Sequence, residues 1–138
     1  MKDLKSTVCI LFILFIAVAC SKEKRIENRL CKGEWNIAKY TVTYPGFFYG
    51  SGVADAGTMA FSKNGSLVWT ETIDSTQVYN CTWSNSKDEI TIVREGQAYI
   101  FKIDSESGKE MQIVTTVKYV DEFEDPYNYD LTLKLERK

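Results

Sequence analysis

The chain has 138 residues, 17 basic and 19 acidic side chains, a formal net charge of −2, 13% aromatics, four cysteines and no histidine. That length suits a single domain; the mildly acidic balance excludes the electrostatic footprint of a nucleic-acid binder, and the aromatic content excludes a disordered or low-complexity chain. The missing histidine removes the usual general base, the usual triad centre and the commonest metal ligand.

Lys2 and Lys5 precede an unbroken apolar run from Val8 to Ala19. The run falls well short of the roughly 20 residues a transmembrane helix needs, so residues 1–19 are predicted to be a secretory signal peptide. Its end, Ile16-Ala17-Val18-Ala19-Cys20, resembles the lipobox of bacterial lipoproteins, in which the cysteine is acylated and becomes the first mature residue. That resemblance implies lipidation of Cys20, with palmitate-type chains as the membrane partner, on an exported protein of the bacterial cell envelope, at the outer membrane. At about 0.8 kcal/mol per buried methylene, two or three acyl chains hold a domain on a membrane almost permanently. Removing residues 1–19 takes away Lys2, Lys5 and Asp3, which leaves 15 basic and 18 acidic side chains and a mature net charge of −3.

Residues 20–32 carry Lys22, Glu23, Lys24, Arg25, Glu27, Arg29 and Lys32 and read as a polar, solvated linker behind the lipid. The competing reading is a short helix whose Ile26 and Leu30, at i and i+4, touch the domain. With Cys9 discarded and Cys20 lipidated, Cys31 and Cys81 remain. They are a possible disulfide in an oxidising compartment, although Cys81, between Tyr79 and Trp83 on an inward face, is equally natural as a buried free thiol. Without histidine, two cysteines cannot make a structural zinc site.

The stretch Gly33 to Tyr44 opens the domain proper as its first strand. Trp35 and Ile37 share a face, and then Tyr40, Val42 and Tyr44 take over with the opposite parity. A β-bulge midway explains the switch, since one extra residue turns every later side chain to the other face. The next stretch, Pro45 to Gly57, is rich in glycine and reads as a long irregular loop. Its trio Phe47, Phe48 and Tyr49 either folds over an apolar mouth as a lid or packs against the outside.

A meander follows. Thr58 to Lys63 is a strand with Met59 and Phe61 in phase, and Asn64-Gly65 is a hairpin turn. Ser66 to Ile73 aligns Leu67, Trp69, Glu71 and Ile73; Gln77 to Ser84 aligns Tyr79, Cys81 and Trp83. Glu89 to Arg94 aligns Ile90, Ile92 and Arg94, and Glu95-Gly96 turns into Gln97 to Asp104 with Tyr99, Phe101 and Ile103. Glu110 to Val120 alternates Met111, Ile113, Thr115, Val117 and Tyr119 against polar neighbours. Tyr129 to Arg137 sets Leu131, Leu133 and Leu135 against Thr132, Lys134 and Glu136, a strand wet on one side and dry on the other.

Strands joined by such short turns, each with one apolar face, must curl until those faces meet, and closure removes the sheet edges. The expected fold is all-β, an eight-stranded antiparallel up-and-down barrel over residues 33–138, with a two-sheet sandwich as the rival. At this point the chain resembles the lipocalins, in particular the lipocalin-like domains of bacterial lipoproteins. Gly33-Glu34-Trp35 matches the Gly-x-Trp opening of the first lipocalin strand, and the glycine-rich loop falls where lipocalins keep a lid. The resemblance implies that Arg137, near the end of the chain, packs over Trp35 as a cation–π pair, with Gly33, Trp35 and Arg137 as structural residues. The second and third lipocalin motifs are not recognisable, and the chain is shorter than typical secreted lipocalins.

No P-loop or dinucleotide glycine pattern occurs, no motif places a carboxylate pair, and no cofactor is implied. The acidic run Asp121 to Asp125 lacks the spacing of a calcium loop and reads as a solvated connection. The interior residues are the informative ones. Trp69, Tyr79, Trp83, Tyr99 and Phe101 are large, while Glu71 and Arg94 are polar at positions that alternation turns inward. An eight-stranded barrel is wide enough either to be filled by side chains or to hold one small ligand. Together with Phe47, Phe48 and Tyr49 these residues are the candidate ligand site. Two functions follow: a non-catalytic binder of a small apolar or amphipathic molecule, or a filled barrel acting as an interaction subunit for another envelope protein.

Overall fold

A computed structural model of the chain describes residues 22–46, 50–120 and 126–138. The predicted signal peptide, Cys20, the trio Phe47, Phe48 and Tyr49, and the acidic connection 121–125 lie outside the described residues. Among the described residues a helix, α1, covers 22–30, and nine strands follow: β1 Glu34–Thr43, β2 Gly50–Ala54, β3 Gly57–Phe61, β4 Ser66–Glu71, β5 Gln77–Asn85, β6 Glu89–Arg94, β7 Gln97–Glu106, β8 Glu110–Val120 and β9 Pro126–Arg137. Every pairing is antiparallel, and β1 pairs with β9, which closes the sheet into a barrel.

Nine strands occupy eight positions around that barrel. One edge of β1 runs along β9 from Trp35 to Thr43. The other edge is shared, with Glu34 to Asn36 against β3 and Lys39 to Thr43 against β2. β2 and β3 are therefore one strand broken at Asp55 and Ala56, whose amides donate to the carbonyls of Ala38 and Ile37. The expected irregular loop is thus corrected in part: Gly50–Ala54 is a strand, formed from residues of low β-propensity because β1 offers an unpaired edge. At the break Gly57 has φ of 140°, and a Cβ there would come within 1.8 Å of the Thr70 carbonyl oxygen. Only glycine fits where β3 passes so close to β4.

The expected bulge in β1 is present. Its register against β9 shifts between Ile37 and Lys39, so Trp35 and Ile37 are fully buried on one side of the shift, and Tyr40 and Val42 turn inward on the other. The remaining strands alternate as period two requires. Their inward residues, among them Met59, Leu67, Ile90, Ile92, Ile113 and Leu133, make one contiguous core.

Residues 22–30 depart from the solvated linker that their composition suggests. They form α1, and Ile26 and Leu30 are fully buried against the barrel, as in the competing helical reading. Two buried aliphatic side chains, each worth about 1.5–3 kcal/mol, dock a helix whose other side chains stay wet. Its charges are stapled to the barrel: Lys22 to Asp88 at 2.6 Å, and Arg25 and Arg29 to Glu106 at 2.8 and 2.9 Å. Two side chains satisfy the last carbonyls of α1. The Trp35 indole donates to Leu30 O at 3.0 Å, and an Arg137 guanidinium nitrogen donates to Arg29 O at 3.0 Å. Gly33 makes the corner between α1 and β1 at φ of 154°, a conformation L side chains rarely adopt. The helix and the turns at 62–65, 86–88 and 107–109 thus form a closed end.

Of the two readings of the remaining cysteines, the free thiol is the one present and the possible disulfide is not: Cys31 and Cys81 are unbridged. Cys31 follows α1 at the closed end, while Cys81 points inward from the middle of β5 opposite Leu67. Burial pushes both thiols up from their ordinary value, which makes them less reactive. Among the described residues, no helix is long and apolar enough to cross a membrane.

Candidate ligand-binding mouth

The barrel's other end is opened by the turns that leave β4 and β6 and by the far ends of β1, β8 and β9. Trp69 on β4 faces Tyr79 on β5 in register, and Glu71 sits one step nearer the rim. Arg94 ends β6, just before the tight turn in which Glu95 takes φ of 51° and Gly96 φ of 80°. Alternation turns all four inward, and their long side chains meet.

Arg94 is the centre of the group. Its guanidinium donates to Glu71 at 2.6 Å, lies 3.6 Å from the Tyr79 ring centroid and 4.9 Å from that of Trp69. The pair is largely withdrawn from water, with 18% and 17% of the two side chains exposed. Burial works against the Arg94 charge, but the Glu71 carboxylate more than offsets it and the net shift is upward. Tyr79 passes the polarity on by donating its hydroxyl to Gln77. Beneath, Phe101 is fully buried, edge-on to Trp69 at 6.4 Å and tilted against Tyr99 at 6.5 Å.

Two tyrosines that the sequence reading left out of the candidate ligand site complete the group. Tyr40 is inward because of the β1 bulge, and its hydroxyl is pushed up to about 12 by burial, with the Glu71 and Tyr129 charges adding to it and Arg94 opposing. Tyr129 precedes the Leu131, Leu133, Leu135 face by two residues and contacts Tyr44 at 5.9 Å. Their signal was parity: both lie in phase with residues already assigned to the interior. Trp83 does not join the mouth. It lies near the closed end, edge-on to Phe61 at 5.1 Å, and donates its indole to Ser62 O at 2.9 Å.

The Trp69 indole nitrogen is buried without a hydrogen-bond partner, on a residue 2% exposed. An unpaired buried donor costs about 1–3 kcal/mol, and a bound acceptor would remove that cost. Two clefts lie at this end of the barrel, though Trp69 itself lines neither. A cleft of about 360 Å³ is lined by Tyr40, Glu71, Ile73, Asp74, Ser75 and Gln77. A second, of about 610 Å³, has Tyr99, Ile100, Thr115 and Val117 in its walls. The second exists because β7 and β8 pair only from Lys102 opposite Val114 towards the closed end; above that point they diverge. Among the described residues there is no group of histidine, cysteine or carboxylate side chains able to hold a metal ion.

No known family profile matches the chain, and no curated protein does. Solved structures do. A lipocalin-like protein from Bacteroides uniformis matches with a TM-score of 0.53 at 14% identity, over 80% of this chain and 99% of that one. Lobster apocrustacyanin A1 matches with a TM-score of 0.55 at 14% identity, over 88% of this chain and 68% of that one. The fold is lipocalin-like. In this lipocalin-like barrel the expected closed-end contact is present, with the Arg137 guanidinium 5.0 Å from the Trp35 ring centroid. The two residues therefore act twice, as a cation–π pair and as the cap on α1. Arg137 Nε remains buried without a partner, so the guanidinium is held by two of its faces and not by all its donors.

Proposed function

We propose that the chain is a non-catalytic carrier of one small apolar or amphipathic molecule, held at the open end of the barrel and tethered to the bacterial envelope through an acylated Cys20. The observation that carries this reading is the asymmetry along the barrel axis. The closed half is filled by aliphatic and aromatic side chains, whereas the open half gathers Trp69, Tyr79, Tyr99, Tyr40 and the Glu71–Arg94 pair beside two clefts. Ligand sites are mostly apolar with a few convergent polar groups, and this is such a set.

The test is direct. Mature protein purified without its lipid is examined by native mass spectrometry for a co-purified molecule, and titrated with an environment-sensitive dye in competition with fatty acids. A carrier binds the dye at the mouth, and Tyr40→Ala, in the wall of the smaller cleft, weakens that binding. A barrel inert to every probe, with no co-purified mass, would overturn the proposal in favour of an interaction subunit with a filled interior. For the anchor, Cys20→Ala is expected to abolish fatty-acid labelling and release the domain from membranes.

A further inference from the structure

We infer that the closed end of the barrel, formed by α1 and the turns around Lys63 and Lys87, is a docking face for the anionic headgroups of the membrane that holds the anchor, so that the ligand mouth faces away from the bilayer. The inference rests on the acylation of Cys20 proposed above, and adds an orientation and a surface to it.

Three observations carry it. The first is length. Helix α1 is described from Lys22 on, so Ser21 alone, a span of about 7 Å from residue 20 to residue 22, separates the acylated cysteine from a helix docked on the barrel by Ile26 and Leu30. A flexible spacer would have let the domain tumble above the surface; this connection is too short for that. The second is rigidity. The start of α1 is tied to the turn before β6 by Lys22 with Asp88 and by Asn85 with Glu23 O, and its end is held by Trp35 and Arg137. The helix cannot swing without breaking contacts at both ends.

The third is charge. Residues 22–32 carry five basic side chains against Glu23 and Glu27, a net of +3. The mature chain is −3 overall, so the remainder is −6. Lys32, already in that count, is exposed, and Lys63 and Lys87 are exposed in the turns around α1 and add two positive charges to the same end, against Asp88 and Glu106, which pair with Lys22, Arg25 and Arg29. At the other end the mouth and its turns carry Glu71, Asp74, Glu95 and Asp130 against Arg94 and Lys118. A strand of the length of β1, tilted as barrel strands are, sets the two ends about 25 Å apart. That exceeds the Debye length of about 8–10 Å, so an anionic surface attracts the basic end without feeling the acidic one. Each basic residue near such a surface strengthens attachment by about fivefold, less where it is already paired with a carboxylate. The consequence for the carrier is that its ligand is exchanged with the aqueous compartment or with a soluble partner, not drawn sideways from the supporting leaflet.

The experiment uses acylated protein reconstituted into vesicles containing phosphatidylglycerol, in a Cys31→Ser background that leaves only the buried Cys81. A fluorophore is placed at Lys87→Cys or at Ser75→Cys, and quenching by headgroup-labelled lipid is measured. Strong quenching at position 87 with little at position 75 is expected; equal or stronger quenching at 75 would overturn the orientation. In a second arm the unacylated chain, with Cys20→Ala, is sedimented with phosphatidylglycerol-containing and with purely zwitterionic vesicles. About tenfold preference for the anionic vesicles is expected, lost at high salt and lost when Lys32, Lys63 and Lys87 are all changed to Glu; no preference would overturn the docking face. Failure of the anchor is seen separately, as absence of acylation in the first arm, and the second arm then still decides whether the face binds anionic lipid.

Discussion

The Glu71–Arg94 pair can be divided into what it does for stability and what it does for binding. Glu71→Leu leaves the Arg94 guanidinium between Trp69 and Tyr79 with no counter-charge, and Arg94→Leu leaves the carboxylate facing the same aromatic surround. Removing one member of a fully buried pair costs about 3–5 kcal/mol. Here 17–18% of each side chain still reaches water, so about 2–3 kcal/mol is expected for either single change. The double change to Leu leaves no stranded charge and places two aliphatic groups among rings. It forfeits the two ring contacts of Arg94, each worth roughly 0.5–1 kcal/mol at a site of this exposure, so its total cost is about 1–2 kcal/mol. The coupling between the two positions is then about 3 kcal/mol. Urea denaturation of the four proteins measures it. Additive single effects, with the double variant near 5 kcal/mol, would refute the account of the pair. If the pair serves binding, the folded double variant loses at least about tenfold in dye affinity. Retained affinity would remove the pair from the ligand site.

Four further outcomes follow from the same geometry. Ile26→Ala and Leu30→Ala should each cost about 2–4 kcal/mol in denaturant titrations because both side chains are fully buried; a cost below about 0.5 kcal/mol would return residues 22–30 to a solvated spacer. Gly57→Ala should cost about 3 kcal/mol or more, since its Cβ would sit 1.8 Å from Thr70 O, whereas a near-neutral result would mean that β3 does not approach β4 so closely. Tyr40 is held neutral in the folded state up to about 12, above its unfolded value. Its contribution is therefore complete below the unfolded value and lost as pH rises towards about 12, and the phenolate signal removed by Tyr40→Phe should appear only near that pH; an ordinary titration would place Tyr40 in solvent. Both free thiols should react with a thiol reagent after unfolding, Cys81 slowly before it, and electrophoretic mobility should not change with reductant; a reductant-dependent shift would restore the bridge.

The legible part of this fold was whatever period two could express. Leu131, Leu133 and Leu135 announce β9 by alternation, and the change of parity between Ile37 and Tyr40 announces the bulge because a single inserted residue turns every later side chain to the other face. The helix α1 was hidden because only Ile26 and Leu30 face the barrel, and its charges read as solvation until their partners, Asp88 and Glu106, are brought in from distant strands. The strand β2 was hidden for the opposite reason, since Gly50, Ser51 and Gly52 have nothing to alternate and are extended by their pairing with β1. Alternation did place Glu71 and Arg94 inside. That they touch each other depends on β5 running on past its pairing with β6, which ends at Thr82 opposite Val93, and spacing along the chain carries no trace of that.

The position of the polar group along the axis also bears on why it is tolerated. A buried ion pair seldom stabilises a fold relative to apolar residues of similar size, and the closed half of the barrel, with Trp35, Met59, Ile90 and Leu133 fully buried, shows that this chain can fill its interior with apolar side chains. Nothing in strand geometry forces Glu71 and Arg94 to be different, because both occupy ordinary inward positions at the ends of β4 and β6. Their cost falls at the open end, where β5 has left β6 and β7 has left β8, far from the capped end that Trp35 and Arg137 hold shut. A polar cluster confined to the loosely paired end is what a binding mouth requires, since groups there can change partners when a ligand arrives while the closed half keeps the barrel intact.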